Sequence, residues 1–338
     1  MKNPNHLTNS YRTCLWAALA VLAFTAAELA NASTLAYWRF EGDGVSTPVA
    51  GSTQVEDTDG RTTTTTGVGI RVVDVSGNGN TVWAWDHAWA GHTYQSLVPA
   101  ATVPLTGAAN NFSVQNAGSY PAMFTWSSNS SPTLDVEPIK PLGWTIEASI
   151  NATANDGNRT FVGRDGTGVA TNGGWLGWAP LYFQSRGGTL WIQFTDMGGN
   201  TYQLQDTNGA MLLNTWYNVA AVSDGTTLSL YRGSGGGYQL VGSMGLTAGD
   251  TRLAYDDVGS DTPGDTQWGW TLGRARASTA RGQGDGHVDR WFGYIDEVRI
   301  SDSALDPSQF LFVPEPGTLA LVVVGGALLF WQRRKACA

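Results

Sequence analysis

Between residues 33 and 313 no long stretch keeps the apolar spacing of a helix, whereas short runs alternate apolar and polar residues with a period of two. That pattern confines the chain to strands, because only a strand sends successive side chains to opposite faces. The clearest run places Trp144, Ile146, Ala148 and Ile150 on one face. Leu181, Phe183, Leu190, Ile192 and Phe194 alternate on either side of Gly187 and Gly188, which predicts a hairpin with its apolar face inward. A second hairpin is predicted where runs 216–222 and 226–231 flank Asp224 and Gly225. Runs 35–41, 268–273 and 291–300 complete the strands, and Asp306 with Pro307 reads as the cap and first residue of a short helical turn. Residues 74–80 are dense turn chemistry, and 45–66 read as a loop. From 81 to 141 prolines and small polar clusters obscure any period, so this stretch is carried as a candidate insertion.

The two ends differ from the body. Lys2 and Arg12 precede an apolar run at 15–27, which closes on Ala30, Asn31 and Ala32. Positive start, short apolar core and small-residue exit form a secretory pattern, with signal peptidase cutting between Ala32 and Ser33. At the other end Pro314, Glu315, Pro316 and Gly317 precede an apolar stretch at 318–331, followed by Arg333, Arg334 and Lys335. Fourteen helical residues reach only about 21 Å, short of a roughly 30 Å hydrocarbon core, so this transmembrane helix is a weak anchor. Its basic end should stay cytoplasmic, leaving the body outside. Proline pair, short apolar helix and basic end, in that order, resemble the PEP-CTERM sorting signal of Gram-negative bacteria. The resemblance implies an exosortase as processing partner, and contact with the membrane only until the tail is processed.

Both cysteines, Cys14 and Cys337, lie in the tails, so the body has no disulfide and must be stable by its core. Removing the tails' five basic and two acidic residues leaves 14 and 26, a net charge near −12. Such a surface excludes nucleic acid as a partner. Catalysis is not expected. Glu41, Glu56, Glu137, Glu147 and Glu297 are the body's only glutamates, and no two lie within six residues, so no pair of glutamates on one strand points to a glycosidase; an acid–base pair from remote Asp residues stays open. His87, His92 and His287 make no metal-ligand spacing, and G-x-S-x-G does not occur.

The runs LAYWRFEGD (35–43), DVSGNGN (74–80), WTIEASI (144–150), WYNVAAVSDGTTLSLYRG (216–233) and WFGYIDEVRISDSALDP (291–307) together resemble the LamG-like, concanavalin A-type jelly roll. The expected architecture is therefore all-β. It is a concanavalin A-like jelly-roll β-sandwich of two antiparallel sheets at 33–312, with 81–141 as the candidate insertion. A signal peptide at 1–32 precedes it, and a sorting signal at 313–338 with its transmembrane helix at 318–331 follows.

Three candidate sites follow. Tyr182, Gln184, Trp191 and Gln193 share the face of the first hairpin opposite its apolar one, and rings beside amides suit a sugar's C–H faces and hydroxyls. Trp83, Trp85 and Trp89 with His87 and His92 form a second aromatic cluster, read first as a plug at one end of the sandwich. Glu41 closes the first strand and Asp296 lies in the last. The jelly-roll resemblance implies that such a pair holds one structural Ca²⁺ with backbone carbonyls, and hard oxygen ligands suit that ion. The acidic run with Asp250, Asp256, Asp257, Asp261 and Asp265 is a weaker rival, read first as solvated turns. The expected function is a non-catalytic, exosortase-sorted surface or matrix protein that binds extracellular polysaccharide. The alternatives are a structural or adhesion protein without a small ligand, and a glycan-cleaving enzyme.

Overall fold

A computed structural model describes residues 33–42, 54–55, 57–58, 69–85, 92–116, 123–125, 141–164, 178–235, 237–253, 270–275 and 289–313. Among them are sixteen strands, numbered in chain order, and one 3-10 turn at Pro307–Gln309. The first sheet holds β1 (Thr34–Trp38), β4 (His92–Gln95), β5 (Ser113–Asn116), β7 (Trp144–Ala152), β12 (Trp216–Ser223), β13 (Thr227–Gly233), β14 (Gln239–Gly245) and β16 (Gly293–Ser301). Its order is β14-β13-β12-β7-β16-β5-β4, with β1 also paired to β16. The second sheet holds β2 (Asp57–Thr58), β3 (Val82–Trp85), β6 (Met123–Thr125), β8 (Asn158–Arg164), β9 (Leu181–Arg186), β10 (Thr189–Thr195), β11 (Thr201–Gln205) and β15 (Trp270–Leu272). Its order is β11-β10-β9-β8-β15-β6-β3-β2, antiparallel except where β2 runs parallel to β3.

Both expected hairpins form. β9 and β10 meet across Gly187 and Gly188, whose φ of 54° and 85° supply the left-handed pair that a two-residue turn needs. β12 and β13 meet across Asp224 and Gly225. Trp144, Ile146, Ala148 and Ile150 enter the same core as Leu181, Phe183, Leu190, Ile192 and Phe194. Phe161 packs against Phe183 at 4.6 Å and edge-on to Trp291 at 5.3 Å, while Trp144 meets Phe194 at 5.2 Å. The turn at 74–80 ties the first strand to the chain that follows it. The Asp74 carboxylate accepts from the backbone of Tyr37, Ser76 and Asn80, and Asn80 donates to the Leu35 carbonyl.

Residues 81–141 supply β3 and β6 to the second sheet and β4 and β5 to the first, so the candidate insertion is woven into both layers. Strands of three or four residues are too short to display a period, which is why the sequence hid them.

The first sheet is covered on its outer side as well. Glu147 on β7 and Arg299 on β16 form a buried ion pair there, with Arg299 Nε donating to Glu147 Oε2 at 2.6 Å. Arg299 Nη2 also donates to the Gln309 carbonyl at 2.7 Å, and Leu311 N donates to Glu147 Oε1 at 2.8 Å. Phe310, Leu311 and Phe312 are thereby held against the sheet and buried. Removing one partner of a buried pair leaves the other charge uncompensated, at a cost of about 3–5 kcal/mol. Glu147→Gln is therefore expected to lower unfolding stability by about that amount. A double Glu147→Gln, Arg299→Gln variant should lose less than the sum of the singles, with a coupling of about 1–3 kcal/mol in urea titrations. Additive losses would show that the two residues do not act as a pair.

Candidate functional site

The outer face of the second sheet gathers the residues expected to meet a sugar. In the β9–β10 register Trp191 lies opposite Gln184 and Gln193 opposite Tyr182, and β11 adds Gln205 beside Trp191 and Gln203 beside Gln193. The face is thus a ladder of amides and rings across three strands. Its exposure is not as expected. Tyr182, Gln184 and Gln193 are all 0–1% exposed, while Trp191 keeps partial access and Gln203 and Gln205 are open. Part of the cover is visible. Gly163 stands opposite Tyr182 on β8, and a Cβ there would lie 2.5 Å from the Arg274 carbonyl. The missing side chain lets 274–275 lie on the sheet, so that Ala275 and Ala179 pack against Tyr182. The Tyr182 hydroxyl accepts from Ala179 N at 2.8 Å.

At the open edge of that ladder is Arg186, which the sequence reading passed over. It follows Tyr182 and Gln184 at the same period of two, and that spacing was the available signal. Its Nη2 donates to Gln193 Oε1 at 2.6 Å, and its Nη1 reaches Gln203 Oε1 at 3.4 Å. With the Gln184 amide oxygen turned toward it, that oxygen accepts from Nε at 2.9 Å and Nη2 at 3.0 Å. The guanidinium lies over the Trp191 ring, 4.5 Å from its centroid.

The second cluster joins Glu41 and Asp296 through residues 110–112. Glu41 Oε1 accepts from Asn111 N at 2.7 Å and Phe112 N at 2.8 Å, and its Oε2 from Asn111 Nδ2 at 2.9 Å. Asp296 Oδ2 accepts from Asn110 Nδ2 at 2.8 Å. Asp296 Oδ1 and Asn110 Oδ1 are buried oxygens with no donor. Phe40, just before Glu41, has φ 61°, and Glu297, just after Asp296, has φ 48°. Bulky side chains in the left-handed region are strained, and both outliers aim an acid at the same segment. Burial, then the neighbouring Glu297 charge, holds the Asp296 carboxyl well above the usual carboxylate range. Burial also pushes Glu297 up to about 7, although the Tyr37 hydroxyl and Arg39 pull it back. Adjacent carboxyls of this kind can mark an acid–base pair, but both side chains are fully buried, so a substrate has no access to them as they stand. Among the described residues no three His, Cys, Asp or Glu side chains gather as a metal site, so a cation here would need Asn110 and carbonyl oxygens as well.

The remaining expectations divide by location. Ser33 stands just before β1. Ala32, Pro314, Glu315, Pro316, Arg333, Arg334 and the helix at 318–331 lie outside the described residues, as do His87, Trp89, His287, Asp256, Asp257, Asp261 and Asp265. Asp250 bonds Arg252, Nε to Oδ1 at 2.6 Å. Among the described residues no helix is long and apolar enough to cross a membrane.

Residues 312–335 match the family described as the PEP-CTERM protein-sorting motif. The chain therefore carries the signal of an exported protein sorted by an exosortase to the surface of a Gram-negative bacterium. No curated protein matches the chain in sequence. Among solved structures it is similar to the botulinum neurotoxin serotype D binding domain, with 12% identity and a TM-score of 0.40 over 77% of this chain and 49% of that one. It is also similar to the Ruminococcus gnavus IT-sialidase CBM40 bound to α2,3 sialyllactose, with 12% identity and a TM-score of 0.38 over 55% and 89%. A leech intramolecular trans-sialidase matches at 13% identity and a TM-score of 0.40 over 59% and 27%. Matches at this level carry nothing about ligand or activity.

Of the aromatic and histidine cluster, Trp83 and Trp85 lie on β3, and His92 lies on β4 in the other sheet. His92 is buried with its Nε2 unpartnered beside Gly273 and Asn116. Burial, helped by the Arg274 charge, lowers it from 6.5 to about 4. A depressed histidine contributes stability that is present above pH 6.5 and lost as pH falls toward 4, because the unfolded chain takes the proton first. Over that window wild type should lose about 3 kcal/mol relative to a His92→Gln variant in urea titrations. A gap that stays constant with pH would mean that His92 does not titrate in this way.

Proposed function

We propose that the chain is a surface or matrix protein that holds extracellular polysaccharide on the outer face of its second sheet and does not cleave it. The observation that supports this is the ladder itself. Trp191 offers a partly open ring with Gln205 and Gln203 exposed beside it, and the buried amides behind keep those positions fixed. A signal peptide leaving Ser33 first, and a tail at 318–331 that anchors the protein only until an exosortase removes it, complete the proposed route. One observation favours the alternative of a structural or adhesion protein without a small ligand, namely the burial of Tyr182, Gln184 and Gln193. A glycan-array screen of the processed protein decides between them. Saccharide binding that Trp191→Ala weakens by about tenfold or more supports the lectin-like reading. An array without a saccharide signal favours the structural one.

A structural Ca²⁺ belongs to the same proposal. The site offers hard oxygens only, and its two donorless buried oxygens, Asp296 Oδ1 and Asn110 Oδ1, fit a cation. Glu41, held on the neighbouring backbone, adds a second acidic group. Bound there, the ion would supply the positive charge that these crowded carboxylates lack. A ligand at about 100 times its Kd adds roughly 2.7 kcal/mol to the folded state. Chelation is therefore expected to lower the melting temperature of wild type by several degrees and to leave Asp296→Ala unmoved. An unchanged wild-type melt in chelator rules the ion out.

A further inference from the structure

Arg186 stands out by what surrounds it. The body is strongly acidic, yet this half-buried guanidinium meets only neutral partners: the amide oxygens of Gln184, Gln193 and Gln203, and the Trp191 ring. Among the described residues no carboxylate forms an ion pair with it. Arg299 and Arg232, by contrast, pair directly with Glu147 and Asp206. Placing a cation out of water without a direct ion pair costs free energy, and the groups in contact with it that offset the cost are amide dipoles and a ring face. Burial correspondingly lowers the Arg186 pKa, with Asp289 and Tyr182 acting in the opposite direction.

The donors are unevenly used. Nε and Nη2 are committed to the buried Gln184 and Gln193, which fix the plane of the fork. Nη1 has only the long 3.4 Å bond to exposed Gln203, at the side of the ladder open to solvent. Gln193 Nε2, directly behind, is a buried donor without an acceptor. A positive fork with a spare donor, a ring plane at 4.5 Å and a nearby amide together match a sugar that carries a carboxylate.

Resting on the glycan reading above, we propose that Arg186 is the specificity residue of this face and that the polysaccharide it selects is acidic, bearing uronic-type carboxylates. The carboxylate would take the spare Nη1 donor while the sugar's C–H face lies against Trp191. Neutral glycans would meet the ring and amides but leave the guanidinium without a direct ion pair.

The test uses the full processed protein and two probes, trigalacturonate and the same trisaccharide with its carboxyls reduced to alcohols, at one fixed ionic strength in calorimetric titrations. The charged probe is expected to bind about tenfold or more tightly, the usual margin for a charge-assisted bond. Arg186→Gln should erase that margin, binding the two probes within about twofold of each other, while Trp191→Ala weakens both but keeps part of the margin. Arg186→Lys keeps the charge without the planar fork, and should retain only part of the margin. Equal wild-type affinity for the two probes would overturn the acidic-sugar inference while leaving the glycan reading intact. Binding of neither probe, with a blank array, would overturn both. The comparison of probes on wild type needs no variant, so an Arg186 variant that failed to fold would leave the inference open to refutation.

Discussion

The bulge at Asp296 and Glu297 in β16 organises the first sheet. β16 is the strand that β1, β5 and β7 all pair with, and its register against β7 shifts between Asp296 and Arg299. Ile295, Val298 and Ile300 still reach the core across the shift, because the extra residue is absorbed where Glu297 adopts a positive φ. The outward side chains of the same strand then meet three different covers. Asp296 takes Asn110, Glu297 takes Tyr37 and Arg39, and Arg299 takes Glu147 and the backbone at 309. A strand without the bulge would alternate strictly, sending Asp296 to one face and Glu297 and Arg299 to the other, and could not bring all three to the outer cover.

A body without disulfides thus ties its outer layer with buried polar bonds. Each such bond is worth little net, but leaving its partner unmet inside the protein is costly, so the ties specify where the covering segments lie more than they add stability. The second sheet shows the same logic with mostly uncharged groups. Among the described residues its outer face carries the amides of Gln184 and Gln193, the rings of Tyr182 and Trp191 and the Arg186 guanidinium, and Gly163 admits the backbone of 274–275 onto it.

This arrangement bears on sorting. Packing continues through Phe310, Leu311 and Phe312, and the matched sorting motif begins at residue 312. The last turn is itself fixed by a capping box between Asp306 and Gln309 and by the Glu147–Arg299 pair. The folded body and the sorting signal are therefore consecutive in the chain, and the residues that close the sandwich are kept by any cut made beyond Val313.

What the sequence determined alone was local: which residues alternate, where glycines permit two-residue turns, and that the C-terminal end carries a sorting motif. Period-two runs need no partner to be recognised, so the core faces of β7, β9 and β10 and both hairpins were legible. The grouping of Tyr182, Gln184, Trp191 and Gln193 on one face followed from the same rule. Only the tertiary structure decided which outward-facing groups stay wet. Glu147, which has no other glutamate near it in sequence, meets Arg299 152 residues away, and Asp296 meets Asn110 across 186. Periodicity says which side of a sheet a residue faces but not what lies on that side. The covers come from distant segments whose approach is set by chain closure and by the few polar partners that burial requires.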